Sequence, residues 1–480
     1  MHGRRPYGHT GPVGRSSGTS IERTTRGLEV DASVAGVARG RRGAHVAGVL
    51  RSAVVDGRLA PGTALPSTRR LADDLGVSRG LVVEVYAQLV AEGHLVAIPG
   101  SGTCVAPRPS PPPPPGPVVA PRRFVVDNPG HPDPRLFPRQ EWGRALTAAL
   151  RELPDHQLSY GDPRGLAELR AALASYLGRV RSINIRPDQV VVVNGFSQAL
   201  VCITRHLTHH SRDVVIAVED PGSIGTVETL QAWGASVVGI PVDGDGLDVG
   251  ALETSGASAI VVTPAHQYPT GVTLGAERRH GIVDWAQRHD ALILEDDYDA
   301  EYRYDRAPLT SLHALDPQRV VPAGSTSKSL SPALRLGWIV APTHLADHLT
   351  DIKAAIDLGA PTLPQAALAR LITSGALDRH IRRTRTHYRR RRDALVNTLS
   401  DHAAGIRIGG IAAGLHVLIH LDRHHTENDI ADHARRLGLD AQPLSRYRHH
   451  AAGPAGLVLG YAARTPEQLR HAAALLAMAL

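Results

Sequence analysis

Hydrophobic and polar positions change their pattern three times along this chain. Between residues 66 and 91 apolar positions recur at three- and four-residue spacing, with Leu71 and Leu75 in one run and Val82, Val85, Tyr86 and Leu89 in the next. That spacing lines one face of a helix. Ser67 and Ser78 stand where a side-chain oxygen caps a first turn, and Gly76-Val77 makes a tight turn between the runs, so the pair is predicted to be a helix-turn-helix. Two β-like runs follow, HLVAI (94–98) and TCVA (103–106), joined by Pro99-Gly100-Ser101-Gly102, which predicts a hairpin wing. The segment PRPSPPPPPGPVVAPR (107–122) then breaks the pattern. Five consecutive prolines fit neither a central strand nor a helix interior and favour an extended spacer. Beyond it, short continuous apolar runs alternate with helical periodicity: VVVV at 190–193, VVIAV at 214–218, AIVVT at 259–263, ALILED at 291–296 and WIVAP at 338–342. Such runs predict strands buried on both faces, hence a mostly parallel sheet in an α/β layer fold.

These patterns divide the 480 residues into a basic tail (1–29) read as disordered, a compact unit (30–106), a proline-rich linker (107–122) and a large unit (123–480). With 42% apolar and 21% charged residues the composition is that of a globular protein. No stretch approaches the ~20 apolar residues of a membrane span, and the first twenty residues lack the apolar core of a secretory signal. The two cysteines, Cys104 and Cys202, fall in different units, which sets aside a disulfide framework or cysteine metal site and makes a reducing cytoplasm the expected compartment.

Charge changes the picture in two places. Residues 1–44 hold eight arginines against three acids, within a chain of net charge +7. A Gly/Ser-rich basic tail is attracted to a polyanion. Arg79, following the second cap, would sit at the exposed end of a helix that enters a major groove, and the wing with Ser101 would meet phosphate or the minor groove. The expected partner is therefore double-stranded operator DNA. Second, only two of the 53 basic residues are lysine, Lys328 and Lys353. Arginine stays protonated and forms no Schiff base, so a retained lysine is a candidate for amine chemistry.

Lys328 lies in AGSTSKSLSPALRLGW, with Ser325 and Ser327 on one side and Arg335 seven residues on. Hydroxyls and a fork-shaped cation suit a phosphate, and a fixed lysine suits an aldehyde. About thirty residues earlier LILEDDYDAEYRYD ends a buried strand in acids. Asp296 and Tyr298, two apart, point the same way on an extended segment, where a carboxylate can hold a pyridine nitrogen protonated. Lys353, in a helical stretch, reads as a surface residue, and Arg389 to Arg392 in HYRRRRDAL read as a solvated helix face that pairs in part with acids. The pairs His209–His210, His424–His425 and His449–His450 are adjacent and point apart, so no metal site is expected.

Residues 45–106 resemble the winged helix-turn-helix of the GntR superfamily, through DGRLAPGTALPSTRRLADDLGVSRG and EGHLVAIPGSGTCVA. The resemblance implies DNA contacts at Arg69, Arg79, Gly100 and Gly102, and Ser78 at the helix cap and Ser101 in the wing are counted with them as DNA-binding candidates. Leu81 departs from it, standing where many members carry a hydroxyl. Residues from about 124 resemble a fold-type I, aminotransferase-like pyridoxal 5'-phosphate (PLP) domain, a mostly parallel sheet with a smaller C-terminal subdomain. Together the two parts resemble the MocR/GabR family of transcriptional regulators, and within it the PdxR-like group. This implies Lys328 as the catalytic-type lysine bonded to the cofactor aldehyde. Asp296 is implied at the pyridine nitrogen, Tyr298 at the 3'-oxygen, and Ser325, Ser327 and Arg335 at the phosphate. Gly195, Phe196 and Ser197, in the turn that opens a helix after VVVV, are implied to add backbone amides, and Tyr160, in SYGDPRGLAELR, to reach the phosphate from the partner in a homodimer.

Two departures touch the cofactor ring and not its phosphate. Ser223, in EDPGS, stands where relatives often place a stacking aromatic, and Tyr268, in TPAHQYPTG, where true aminotransferases carry asparagine. His266 or Tyr268 is a candidate for part of the lost ring contact. The late run GLVLGYA (456–462) lacks an arginine for a substrate carboxylate, with Arg446 and Arg448 nearby. The expected function is a PLP-binding regulator of transcription, controlling PLP (vitamin B6) synthesis or amine metabolism, with a small amine or amino acid as a further ligand. The alternatives are an active aminotransferase with a fused DNA-binding module, and a DNA-binding protein whose second unit only dimerises.

Overall fold

The computed structural model describes residues 30, 32–107, 129–211, 213–304, 309–403, 406–422, 424–450 and 453–480. The basic tail and nearly all of the linker lie outside them. The chain forms two compact units, Met1–Phe124 and Val125–Leu480.

In the first unit helices α1 (Arg42–Val55), α2 (Thr68–Leu75) and α3 (Arg79–Ala91) are followed by a hairpin of β1 (Leu95–Ile98) and β2 (Gly102–Val105). Both predicted caps form: the Ser67 oxygen accepts from the Arg70 amide and the Ser78 oxygen from the Leu81 amide, each at 3.3 Å. Val46, Leu50, Leu71, Val82, Val85 and Leu89 make one core. The Tyr86 hydroxyl donates to the Pro66 carbonyl at 2.9 Å, tying α3 to the start of α2. The hairpin turn needs positive φ at Gly100 (+78°) and Gly102 (+98°), which residues with a Cβ adopt at a cost.

The second unit is built on an eight-stranded sheet. Its strands are β3 (Val190–Val193), β4 (Val215–Asp220), β5 (Ser236–Asp243), β6 (Gly246–Leu247), β7 (Ala259–Val262), β8 (Leu292–Asp296), β9 (Val320–Ser325) and β10 (Gly337–Val340), in the order β3-β10-β9-β8-β7-β4-β5-β6. The centre, from β9 to β5, is parallel, while β10 runs antiparallel to both β3 and β9. All four residues of β3, β7 and β10 are buried. Val191 and Val193 pack with Leu200, Ile203 and Leu349 on one face, and Val190 and Val192 with Leu173 and Trp338 on the other. Burial on both faces is why these runs are continuously apolar instead of alternating.

A smaller part follows. An antiparallel sheet of β11 (Arg407–Gly409), β12 (His416–His420), β13 (Asp440–Pro443) and β14 (Gly456–Gly460) is ordered β11-β12-β14-β13 and shares a core with the helices Ala376–His402 and Pro466–Ala477. Here two sequence expectations need correction. Arg391 is buried, and its guanidinium donates to Asp133 Oδ2 at 2.9 Å and to the Ala462 carbonyl, while Arg389 and Arg390 are exposed. Four successive helical residues point about 100° apart, so one of a run of four reaches the core when an acid waits there. Lys353 is not a surface residue either: its side chain is 0% exposed and bonded to Asp357 at 2.5 Å.

Candidate functional site

In the first unit Arg69, Ser78, Arg79, Gly100, Ser101 and Gly102 are all exposed. Ser78 and Arg79 open α3, where the unpaired amides and dipole of a helix N-terminus favour an anion. Leu81 instead packs partly against the core and lies 3.8 Å from the Cβ position of Gly43, so the residue that departs from the GntR pattern serves packing.

In the second unit the sheet topology gathers the chemistry. Parallel strands β9, β8, β7 and β4 end at one edge of the sheet, β3 ends there too, and antiparallel β10 begins there. Ligands of α/β sheets bind at this carboxyl edge. A cavity of about 330 Å³ opens at it, lined by Phe196 and Ser197 after β3, Glu219 in β4, Thr263 and Tyr268 after β7, Asp296 at the end of β8 and Tyr298 just beyond it. Ser325, Ser327 and Lys328 enter from the end of β9, and Arg335 from just before β10. Of the residues singled out in the sequence, Gly195 lies beside Arg335 at the lip. Tyr160 is 85% exposed and lines no part of this cavity.

Charge is sorted with care at the end of β8. Asp297 points away from the cavity to Arg181, 2.6 Å from its Nε. Asp299 is bonded to His266 Nδ1 at 2.9 Å, and Tyr298 Oη lies 3.1 Å from the same nitrogen. Of the three aspartates Asp296 lines the cavity. Burial, with Asp297 and Asp299 adding to it, pushes its carboxyl well above the usual range. A cationic partner reverses that penalty. Burial lowers the Lys328 amine, against the pull of Asp299 and Asp296, which enriches the neutral, nucleophilic form.

The lip is shaped for an oxyanion. Gly195 has φ +83° and ψ 174° and caps the helix Phe196–His210. A Cβ on it would come 2.9 Å from Arg335 Nη2, so the loop lies directly against the guanidinium. Arg335 donates to the Asn194 carbonyl at 2.5 Å, and its side chain stays exposed beside Ser325 and Ser327.

The two ring-side departures have distinct fates. Ser223 lines the cavity and caps the helix Ile224–Ala232, its oxygen accepting from the Thr226 amide. Tyr268 lines the cavity and donates to Tyr447 Oη at 3.0 Å. His266 stands behind Tyr298, their ring centroids 6.2 Å apart. Arg446 turns to Gln442 and Arg448 to the Pro454 carbonyl, while Val458 of the late strand is fully buried with Tyr268, Leu418 and Tyr447. Sequence reasoning passed over Glu219, although it lies in the same EDPGS motif as Ser223. Its carboxylate accepts from the Thr263 hydroxyl at 2.5 Å and from Gln267 at 3.2 Å, and burial raises it to about 7.

A winged helix-turn-helix and a strand-edge pocket with a buried lysine, a floor carboxylate and an arginine lip define a class, a DNA-binding module fused to an aminotransferase-type domain. Comparison with known proteins agrees. The family described as aminotransferase class I and II matches residues 124–476, and that of the bacterial regulatory proteins, gntR family, matches 42–105. The chain is 34% identical to the probable rhizopine catabolism regulatory protein MocR of Rhizobium meliloti, over 88% of this chain and 90% of that protein. It is also 34% identical to the HTH-type pyridoxine biosynthesis transcriptional regulator PdxR of Corynebacterium glutamicum, over 88% and 92%. Among solved structures, an archaeal alanine:glyoxylate aminotransferase superposes with a TM-score of 0.67 at 27% identity, covering 73% of this chain and 89% of its own. The chain belongs to the MocR-type family of helix-turn-helix transcriptional regulators, whose second unit is a PLP-dependent, aminotransferase-type domain. When bound, PLP supplies an aldehyde for a lysine amine and a pyridine ring that accepts electrons. The donor set at the pocket fits it: a cation-seeking carboxylate at the floor, a desolvated amine, and hydroxyls with a guanidinium at the lip.

Proposed function

We propose that this chain, a DNA-binding regulator of transcription, adjusts its grip on an operator according to the PLP held in its second unit. The observation behind this reading is the Lys328, Asp296, Tyr298 and Arg335 set around one cavity, in a chain that also exposes Arg69 and Arg79 on a helix-turn-helix. Lys328 holds the aldehyde carbon, Asp296 the pyridine nitrogen and Tyr298 the ring oxygen. Ser325, Ser327, Arg335 and the Gly195-Phe196-Ser197 turn hold the phosphate. Arg79 reads base edges from the start of α3, with Arg69 and Ser78 on the backbone and the Gly100-Ser101-Gly102 wing on adjoining phosphates. The protein acts in the cytoplasm as a homodimer, and the exposed Tyr160 reaches the partner's phosphate site. The regulated process is synthesis of PLP or metabolism of an amine, in line with what the two relatives' names describe, and a small amine or amino acid is a further ligand of the pocket. Among the described residues, no helix is long and apolar enough to cross a membrane.

The test is a titration of promoter DNA into apo and PLP-loaded protein at matched dimer concentration. The reading expects affinities that differ by about 5–150-fold, an ordinary coupling between linked sites, with DNA changing PLP affinity by the same factor. Superimposable isotherms would refute it. Spectral turnover of bound PLP on adding an amino acid, with product keto acid accumulating, would favour the aminotransferase reading.

A further inference from the structure

Lys353 plays no part in the pocket, yet it is 0% exposed. It lies in the helix Ala346–Asp357, one turn before the helix ends, and bonds Asp357 Oδ1 at 2.5 Å. The Gly359 amide donates to the same oxygen at 3.0 Å. The other oxygen, Oδ2, accepts from Asn194 Nδ2 at 2.7 Å and from Gln198 Nε2 at 2.8 Å. Gln198 in turn accepts from the Asn194 amide at 2.7 Å, and the Asn194 carbonyl accepts from Arg335. Four contacts therefore clamp the residue that precedes Gly195 and the residue that follows Ser197. Although burial opposes its charge, bonds from Gln198 and Lys353 hold the Asp357 carboxyl below the usual range.

A buried ammonium is costly unless paired, and removing one partner of such a pair leaves the other uncompensated. The Lys353–Asp357 pair closes the end of this helix, where Asp357 also accepts from the Gly359 amide. Its bonds run to both sides of the Gly195-Phe196-Ser197 turn and, through the Asn194 carbonyl, to the guanidinium at the lip. We propose that Lys353 and Asp357 are positioning residues that hold the phosphate-binding turn and Arg335 in place, and so set the affinity for the phosphate of the ligand, independently of its ring. The proposal rests on the reading of that lip as the phosphate site.

The experiment compares PLP with pyridoxal, which has the ring and aldehyde but no phosphate, in equilibrium titrations of the full chain. The variants are Lys353→Met and, because that one risks the fold, the nearly isosteric Asp357→Asn, each with a parallel thermal unfolding curve. Outer partners that orient the ligands of a metal are worth about 10–100-fold in affinity, and contacts that orient an anion-binding turn act in the same way. PLP affinity is therefore expected to fall by about tenfold or more in Asp357→Asn, while pyridoxal affinity stays within about twofold. Equal weakening of both ligands would overturn the proposal, since it would mark a general structural role. So would unchanged PLP affinity in a folded variant. In the wild type, PLP that binds no tighter than pyridoxal would refute the phosphate site itself, a result distinct from either.

Discussion

Replacing Gly195 with alanine is a direct test of where the phosphate sits. At φ +83° and ψ 174° the residue occupies a region essentially reserved for glycine, and forcing another residue there costs about 1–3 kcal/mol. The added methyl would also lie 2.9 Å from Arg335 Nη2 and 3.1 Å from Cζ and Nη1. The guanidinium must then leave its 2.5 Å bond to the Asn194 carbonyl. Two separable effects follow. Backbone strain lowers the unfolding temperature of the second unit with or without ligand. Displacement of Arg335 removes a charged hydrogen bond worth about 1.5–3 kcal/mol, which weakens PLP binding by about 10–150-fold. Absorbance titration with PLP measures the second effect and thermal unfolding the first. Arg335→Ala should reproduce the loss of affinity without the backbone strain, and apo-protein affinity for DNA should not change in either variant. A Gly195→Ala protein that melts earlier but binds PLP as tightly as the wild type would place the phosphate elsewhere and refute the reasoning.

Lys328→Ala should abolish the visible absorption of the PLP complex and its borohydride-stable attachment while leaving the fold intact, and trapping at Lys353 would contradict the assignment. Arg79→Ala should weaken specific DNA binding by about 1–3 kcal/mol and relax base preference, with PLP affinity unchanged, as read by competition between promoter and random duplex. The stability of the apo-protein should depend on Glu219, whose carboxyl burial raises from 4.5 to about 7. Because its folded value is the higher one, the contribution is complete below pH 4.5 and is lost as pH rises through about 7; a shift of this size is worth at most about 3 kcal/mol. Denaturant melts of wild type at pH 5.5 and pH 8 should therefore differ more than those of Glu219→Gln, and equal differences would show that this carboxyl does not titrate in that window.

What was legible in the sequence was what local chemistry decides. Ser67 and Ser78 cap their helices in the structure as their positions predict, because a cap is set by residues three apart. The continuous apolar runs became buried strands because each needs only its own composition to demand cover on both faces. The lysine in STSK stood out because it is one of two in a chain otherwise basic through arginine. Asp296, the last residue of β8, and Tyr298, two residues on, both line the cavity, as their spacing on an extended segment predicts.

Only the tertiary structure decided which of several like residues does what. EDDYD holds four acids, and Asp296 lines the cavity because Arg181 takes Asp297 and His266 takes Asp299. Those partners lie far apart in sequence and meet only when the sheet forms. Lys353 looked like a surface residue because a lysine in a helix usually is one; its partner Asp357 is local, but its burial comes from packing near β3. Arg391 left a run of four arginines for Asp133, more than 250 residues away. Glu219 became a neutral-range acid through desolvation, which depends on what covers a residue and leaves no mark in its neighbours along the chain. Local order is written in spacings of two to four residues, whereas charge state and burial are properties of distant segments brought together, and for that reason the sequence named the candidate groups and the fold assigned their surroundings.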